Sequence, residues 1–214
     1  MKIIVLIITF LITLIYSLFS QSESGYIQSA YDAIQSKDYN KAIELYTKAI
    51  EQQPKYAPSY YGRGLAYSYL ENYNAAIDDF TKAIELNPNY HQAYYSRSLS
   101  YIKQGNYSLA EADLKKAIDI DPSIAKYYYA LGNTYYYMEK DDDALNYYTQ
   151  AIEKDPKLGL AYYGRAVIHK LNKRNDEALS DFKMYIDLNG NKDGLASEVE
   201  RLMNEIRQEK LEQQ

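Results

Sequence analysis

The chain has 214 residues, a net charge of −5 and no Cys. That composition excludes a disulfide framework, a thiolate metal site and a cysteine nucleophile. Its acidic balance argues against nucleic acid, which needs a basic footprint to displace phosphate counterions.

Residues 1–19 read MKIIVLIITFLITLIYSLF, a single Lys2 followed by an apolar run broken only by Thr9, Thr13 and Ser17. The run falls between the core of a signal peptide, about 7–15 residues, and a spanning helix, about 17–25 residues. Small polar residues follow from Ser20 to Ser24 and offer a cleavage site near Ser20. Lys2 ahead of the run sets the N-terminus in the cytoplasm and all that follows Ser24 outside. The expectation is therefore a periplasmic, cell-envelope or secreted protein. The alternative is an uncleaved anchor with the remainder on the non-cytoplasmic side. Contact with membrane is expected only through residues 1–20. Without that segment the chain holds 23 basic and 29 acidic residues, a net of −6.

Beyond it the sequence repeats. Pro54, Pro88, Pro122 and Pro156 are evenly spaced, and the same step links Ala49, Ala83, Ala117 and Ala151. It also links Ala42, Ala76, Ala110, Ala144 and Ala178, an aromatic or apolar series at Tyr46, Phe80, Leu114, Tyr148 and Phe182, and Tyr at 26, 60, 94, 128 and 162. Tyr accounts for 27 residues while Trp is absent and Phe numbers 4, as expected when one aromatic type fills the same slots again and again. The series define five copies over residues 21–192: 23–56, 57–90, 91–124, 125–158 and 159–192. In each copy, residues three and four apart share a face, as in Tyr60, Gly64 and Tyr67 and then Ala76, Phe80 and Ala83, so each reads as two helices. Pro ends the second helix because it lacks an N–H and disfavours helix in the residue before it. Gly64, Ser98, Gly132 and Ala166 leave room for the paired helix. Residues 193–214 hold one more helix, in which Leu195, Val199, Leu202, Met203 and Ile206 form a stripe that closes the last copy behind a polar exterior.

These motifs resemble the tetratricopeptide repeat family. The fourth copy supplies Tyr128, Leu131-Gly132, Tyr135, Ala144, Tyr148, Ala151 and Pro156, close to the family's full pattern, and the resemblance spans about residues 23–192. Copy one departs at Ser29 and Ala33, and copy five at Tyr185 and Gly190. The resemblance implies an all-α fold: a right-handed α-solenoid of five helix-turn-helix repeats plus a C-terminal capping helix, preceded by the N-terminal apolar helix. It also implies a concave groove lined by the first helices. Its slots here are Ile27, Tyr31 and Ile34; Tyr61, Leu65 and Ser68; Tyr95, Leu99 and Ile102; Tyr129, Asn133 and Tyr136; and Tyr163, Val167 and Lys170. Tyr gives large contact area with a hydroxyl at the tip. A subtype of the family clamps acidic C-terminal tails with Lys, Asn and Arg, but only Lys126 fits that pattern here.

The copies also differ in an ordered way. Arg63, Arg97 and Arg165 stand where copies one and four have Ser29 and Leu131. Further on, at one fixed offset, the Arg-bearing copies carry Asp79, Asp113 and Asp181, and the others Leu45 and Tyr147. The expectation is an Arg–Asp pair between helices, within a copy or between neighbours.

Little else suggests chemistry. His91 and His169 have no Cys between them and read as core or surface residues. Asp141-Asp142-Asp143 is expected to cap a helix start. Asn189, Asn191, Asp193, Gly194 and Glu200 mimic the spacing of a calcium loop, but Asn stands first and Ala196 sits where a larger apolar residue packs, so a plain turn is expected. No catalytic residue, metal or cofactor is expected. The functional expectation is a protein-binding adaptor or scaffold, not an enzyme, that takes a peptide or helix of a protein partner in a Tyr-rich groove. A self-associating structural protein, or a non-catalytic subunit of an envelope enzyme complex, is the alternative.

Overall fold

A computed structural model describes residues 25–190 and 194–212. The apolar segment and its cleavage site lie outside these residues, as do Asn191 and Asp193 of the calcium-like spacing. Among the described residues every regular element is an α-helix. Helix α1 covers residues 25–35, and α2 (Tyr39–Gln52), α3 (Ala57–Tyr69), α4 (Tyr73–Leu86) and α5 (His91–Lys103) follow. Next come α6 (Tyr107–Ile120), α7 (Ala125–Tyr137), α8 (Asp141–Lys154), α9 (Gly159–Leu171), α10 (Asn175–Asn189) and α11 (Ala196–Glu212). The chain falls into two compact units that divide after Ser100, inside α5.

Two recurring turns set this pattern. Between repeats, helices stop just short of Pro54, Pro88, Pro122 and Pro156, and the residue before each Pro is extended, with φ from −128° at Gln53 to −140° at Asp155. This is the conformation that the Pro ring forces on its neighbour. Asn87, Asp121 and Asp155 then accept a backbone N–H two residues on, and the hydroxyls of Tyr60 and Tyr128 donate to the carbonyls of Pro54 and Pro122.

Within repeats, the first helix ends in a left-handed residue, at Lys37, Glu71, Gly105, Glu139 and Lys173. The following N–H closes onto the carbonyl five residues back, as from Asn72 to Tyr67 and from Arg174 to His169. That is the Schellman closure, which usually takes Gly; only the third repeat supplies one. Asp38 and Asn72 accept from the N–H groups of Lys41 and Ala75 at the helix starts. In α8 the N-cap is Lys140, so Asp141–Asp143 fill the first turn instead of the cap. They complement the helix dipole without making the capping bond expected of them.

In the first unit, α3 packs against both α2 and α4. Ala30, Ala42, Leu45, Tyr46 and Ala66 form a buried core there, with Ile27 and Ile34 against it. In the second unit, α7 packs against α6, α8 and α9, and α10 lies between α9 and α11. Tyr185 is fully buried in the slot that other repeats give to Ala, and Val199 and Ile206 of α11 cover it. An ion pair from Lys170 to Glu205, at 3.1 Å, ties α11 to α9. No helix among the described residues is long and apolar enough to cross a membrane.

Candidate functional site: a tyrosine-lined cavity between first helices

The small residues of the repeats decide where the large ones go. A Cβ added at Gly132 would come within 2.7 Å of the Tyr148 ring, and one at Gly164 within 2.7 Å of its Cζ. Tyr148 is thus threaded from α8 between the backbones of α7 and α9, with its hydroxyl emerging beyond them. There it donates to Asn133 Oδ1 at 2.6 Å. In the first unit, Tyr46 lies against Gly62 and Phe80 against Gly64 in the same manner. The corresponding slot of the next first helix therefore tracks the size of the preceding aromatic or apolar residue. Gly62 follows Tyr46 and Gly164 follows Tyr148, whereas Ser96 follows Phe80 and Ala130 follows Leu114.

Above Tyr148 lies a cavity of about 230 Å³. Tyr129, Asn133, Tyr136 and Tyr137 line it from α7, and Tyr163, Gly164 and Val167 from α9. Five of the groove slots read from the sequence meet here: Tyr129, Asn133, Tyr136, Tyr163 and Val167. The Tyr129 ring is tilted 39° to that of Tyr148 at 6.0 Å, and Tyr136 is tilted 55° to Tyr137 at 5.8 Å. Burial, reinforced by the surrounding phenols, pushes the Tyr148 hydroxyl far above its ordinary range, and burial also raises that of Tyr163. The cavity is lined by uncharged side chains. Asn133 Oδ1 is engaged by Tyr148, so the group that Asn133 has left to offer is its amide N–H pair, a donor. Tyr163 and Val167 also pack into the α9–α11 core, so they serve the fold as well.

The remaining slots are arranged differently. In the first unit Tyr61 is half-buried, its ring tilted against Tyr90 at 4.9 Å and Phe80 at 5.8 Å, and its hydroxyl accepts from Ser96 Oγ at 3.4 Å. Burial, with smaller contributions from Tyr31 and Tyr61, pushes the Tyr46 phenol up to about 12. Tyr31 and Leu99 are exposed, Leu65 and Tyr95 half-buried, while Ile27 and Ile34 turn toward the core. Ile102 is half-buried in the second unit, away from the cavity. Tyr137, Gly164 and Tyr148, the cavity floor, are not among the groove slots that the sequence marks. For the last two a signal exists in the sequence, since Tyr is followed by Gly at the same offset in Tyr46 and Gly62 as in Tyr148 and Gly164.

The Arg positions are structural. Arg63 forms a two-pronged pair with Asp79, both bonds at 2.8 Å, and also donates to Thr47 at 3.1 Å. Arg165 repeats this with Asp181, at 2.7 and 2.9 Å, and Thr149, at 3.1 Å. Each pair lies within one repeat and reaches back to the second helix of the repeat before. Arg97 makes the same contact with Thr81, at 2.8 Å. All three guanidinium groups sit over a Tyr ring three residues earlier: Tyr60, Tyr94 and Tyr162.

Helix pairs that recur at one constant step, closed by Pro and packed through small-residue and aromatic slots, define a class of helical repeat. Family models carry the assignment further: tetratricopeptide repeats match at residues 57–90, 80–112 and 129–192, and a further TPR repeat model matches at 32–70 and 98–139. The chain belongs to the tetratricopeptide repeat family. No curated protein sequence matches it. Among solved structures it is similar to residues 41 to the end of MamA from Desulfovibrio magneticus RS-1, at 20% identity over 81% of this chain and 98% of that one, with a TM-score of 0.73. It is also similar to PilF of Pseudomonas aeruginosa, at 14% identity over 88% and 90% of the two chains and a TM-score of 0.74. A third is YrrB, described as a TPR protein with an unusual peptide-binding site, at 24% identity over 82% and 90% and a TM-score of 0.66. At these identities the likeness is one of fold.

Proposed function

We propose that this chain is a non-catalytic adaptor or scaffold that holds an extended segment of a partner protein against α7 and α9. The observation that carries this reading is the cavity over Tyr148, where tyrosine faces and an oriented asparagine amide converge with no carboxylate or imidazole among them. Tyrosine supplies contact area at low entropic cost. The Asn133 amide can donate to a backbone carbonyl, a group that an extended peptide offers and a helix has already used within itself. The peptide-binding site named for YrrB agrees with this use of the fold. The apolar run behind Lys2 supports delivery across, or anchoring to, the cytoplasmic membrane, so that the repeats work in the periplasm, the envelope or outside the cell. The acidic balance supports protein partners over nucleic acid.

A photo-crosslinking residue at position 137 tests the site in cells. The wild-type background should trap a discrete partner protein, and Asn133→Leu with Tyr136→Ala should abolish trapping while circular dichroism stays native. Undiminished trapping by the folded double variant would overturn the assignment.

A further inference from the structure

We infer that the tyrosine cavity between α7 and α9 receives an arginine side chain of the bound segment; this rests on the peptide-binding reading of the same site. The lining contributes five tyrosines, an asparagine, a glycine and a valine, and no Lys or Arg. A neutral apolar side chain would fill such a space, but it would leave the phenol oxygens and the Asn133 amide facing hydrocarbon, at a desolvation cost. An acidic side chain would meet ring faces that repel it, with no cationic side chain in the lining to pair with. A planar cation satisfies both demands. Its faces lie against tilted rings, and its N–H groups donate to phenol oxygens.

Guanidinium groups lie over tyrosine rings elsewhere in the molecule, at Arg63 and Arg165 together with an Asp pair. Arg63, Arg97 and Arg165 each stand over a tyrosine ring at 5.7–5.9 Å. The only lysine in the first turn of α7, Lys126, leans over Tyr127 and is no part of the cavity wall. After burial, the largest influence on Tyr163 is a carboxylate, Glu198 of α11. With a net charge of −5 for the whole chain, a basic segment is also drawn to the surface before it docks.

Two small probes of nearly one shape separate charge from fit: n-butylguanidinium and n-butylurea. Each is titrated into the full-length protein while the ring signals of Tyr129, Tyr136 and Tyr163 are followed by NMR. Butylguanidinium should shift these signals saturably, with an affinity at least tenfold above that of butylurea, and Tyr136→Leu should erase the difference. Equal affinities, tighter binding of the urea, or no response to either would overturn the arginine assignment. Because trapping at position 137 does not depend on these probes, it would still stand or fall separately.

Discussion

Repeats four and five build the same helix pair with opposite chemistry in one slot. In repeat five Arg165 lies between α8 and α10, takes both oxygens of Asp181 and reaches Thr149. In repeat four the corresponding residue is Leu131, fully buried, and the flanking slots hold Lys115 and Tyr147 in place of Thr and Asp. The polar contacts move outward there. Lys115 pairs with Glu111 at 2.7 Å, Tyr135 donates to the same carboxylate at 2.8 Å, and Tyr135 stacks on Tyr147 at 5.3 Å and 16°. Lys115 is the main cause that holds the Glu111 carboxyl below its usual range. The central slot and the two that flank it thus change as a set, Thr–Arg–Asp or Lys–Leu–Tyr. Arg63, Arg97 and Arg165 occur only where the sequence also supplies the Thr and the Asp.

Placing half of one set inside the other gives the largest effect. Leu131→Arg introduces a cation beside Lys115 with no carboxylate opposite, and should cost about 5 kcal/mol, the upper end for an uncompensated buried charge. Adding Lys115→Thr and Tyr147→Asp rebuilds the whole set and should recover more than half of the loss in urea unfolding. A triple variant no more stable than the single would mean that the slots are independent. The reciprocal test, Arg63→Leu, strands Asp79, which is only 8% exposed, and should cost about 3 kcal/mol. Arg63→Leu with Asp79→Leu should be clearly more stable than the single change; equal midpoints would show that the pair contributes nothing.

The repeat frame was legible in the sequence because backbone geometry writes it directly. Pro fixes where each second helix ends, and the Ala and Gly slots mark where two helices touch. The Arg–Asp pairing was legible because five internal copies act as their own comparison. Thr47, Thr81 and Thr149 show the same all-or-none pattern and belong with it, but a hydroxyl that only extends an ion pair has no pattern of its own until the pair is placed. Five of the groove slots fell in one cavity, Tyr129, Asn133 and Tyr136 from α7 and Tyr163 and Val167 from α9. Tyr148 escaped because its slot reads as core. Only the space left by Gly132 and Gly164 lets its hydroxyl through to Asn133 and the cavity, and that depends on how two backbones approach.

Size matching between slots can be broken more gently than charge matching. A Cβ at Gly62 would overlap the Tyr46 ring, so Gly62→Ala should cost about 2 kcal/mol by overpacking. Tyr46→Leu should rescue it, since Leu114 and Ala130 form that combination in the middle of the array. A double variant less stable than Gly62→Ala alone would refute the matching.

The smallest effect concerns His169, which stands where repeats two to four carry Tyr67, Tyr101 and Tyr135. Its Nε2 is 4.0 Å from Asp181 Oδ2, a placement that by itself favours the charged ring. Arg165 already engages both Asp181 oxygens, however, and burial is the largest influence, so the imidazole is held below its ordinary value. A base that resists protonation when folded binds fewer protons than it does unfolded, so stability rises with pH across the interval between the two values. The contribution is complete above about 6.5, the unfolded value, and is lost as the pH falls below it. The advantage of the wild type over His169→Phe should therefore shrink between pH 7.5 and 5.5 in thermal unfolding. An advantage that grows on acidification would mean that the Asp181 carboxylate, not burial, governs this imidazole.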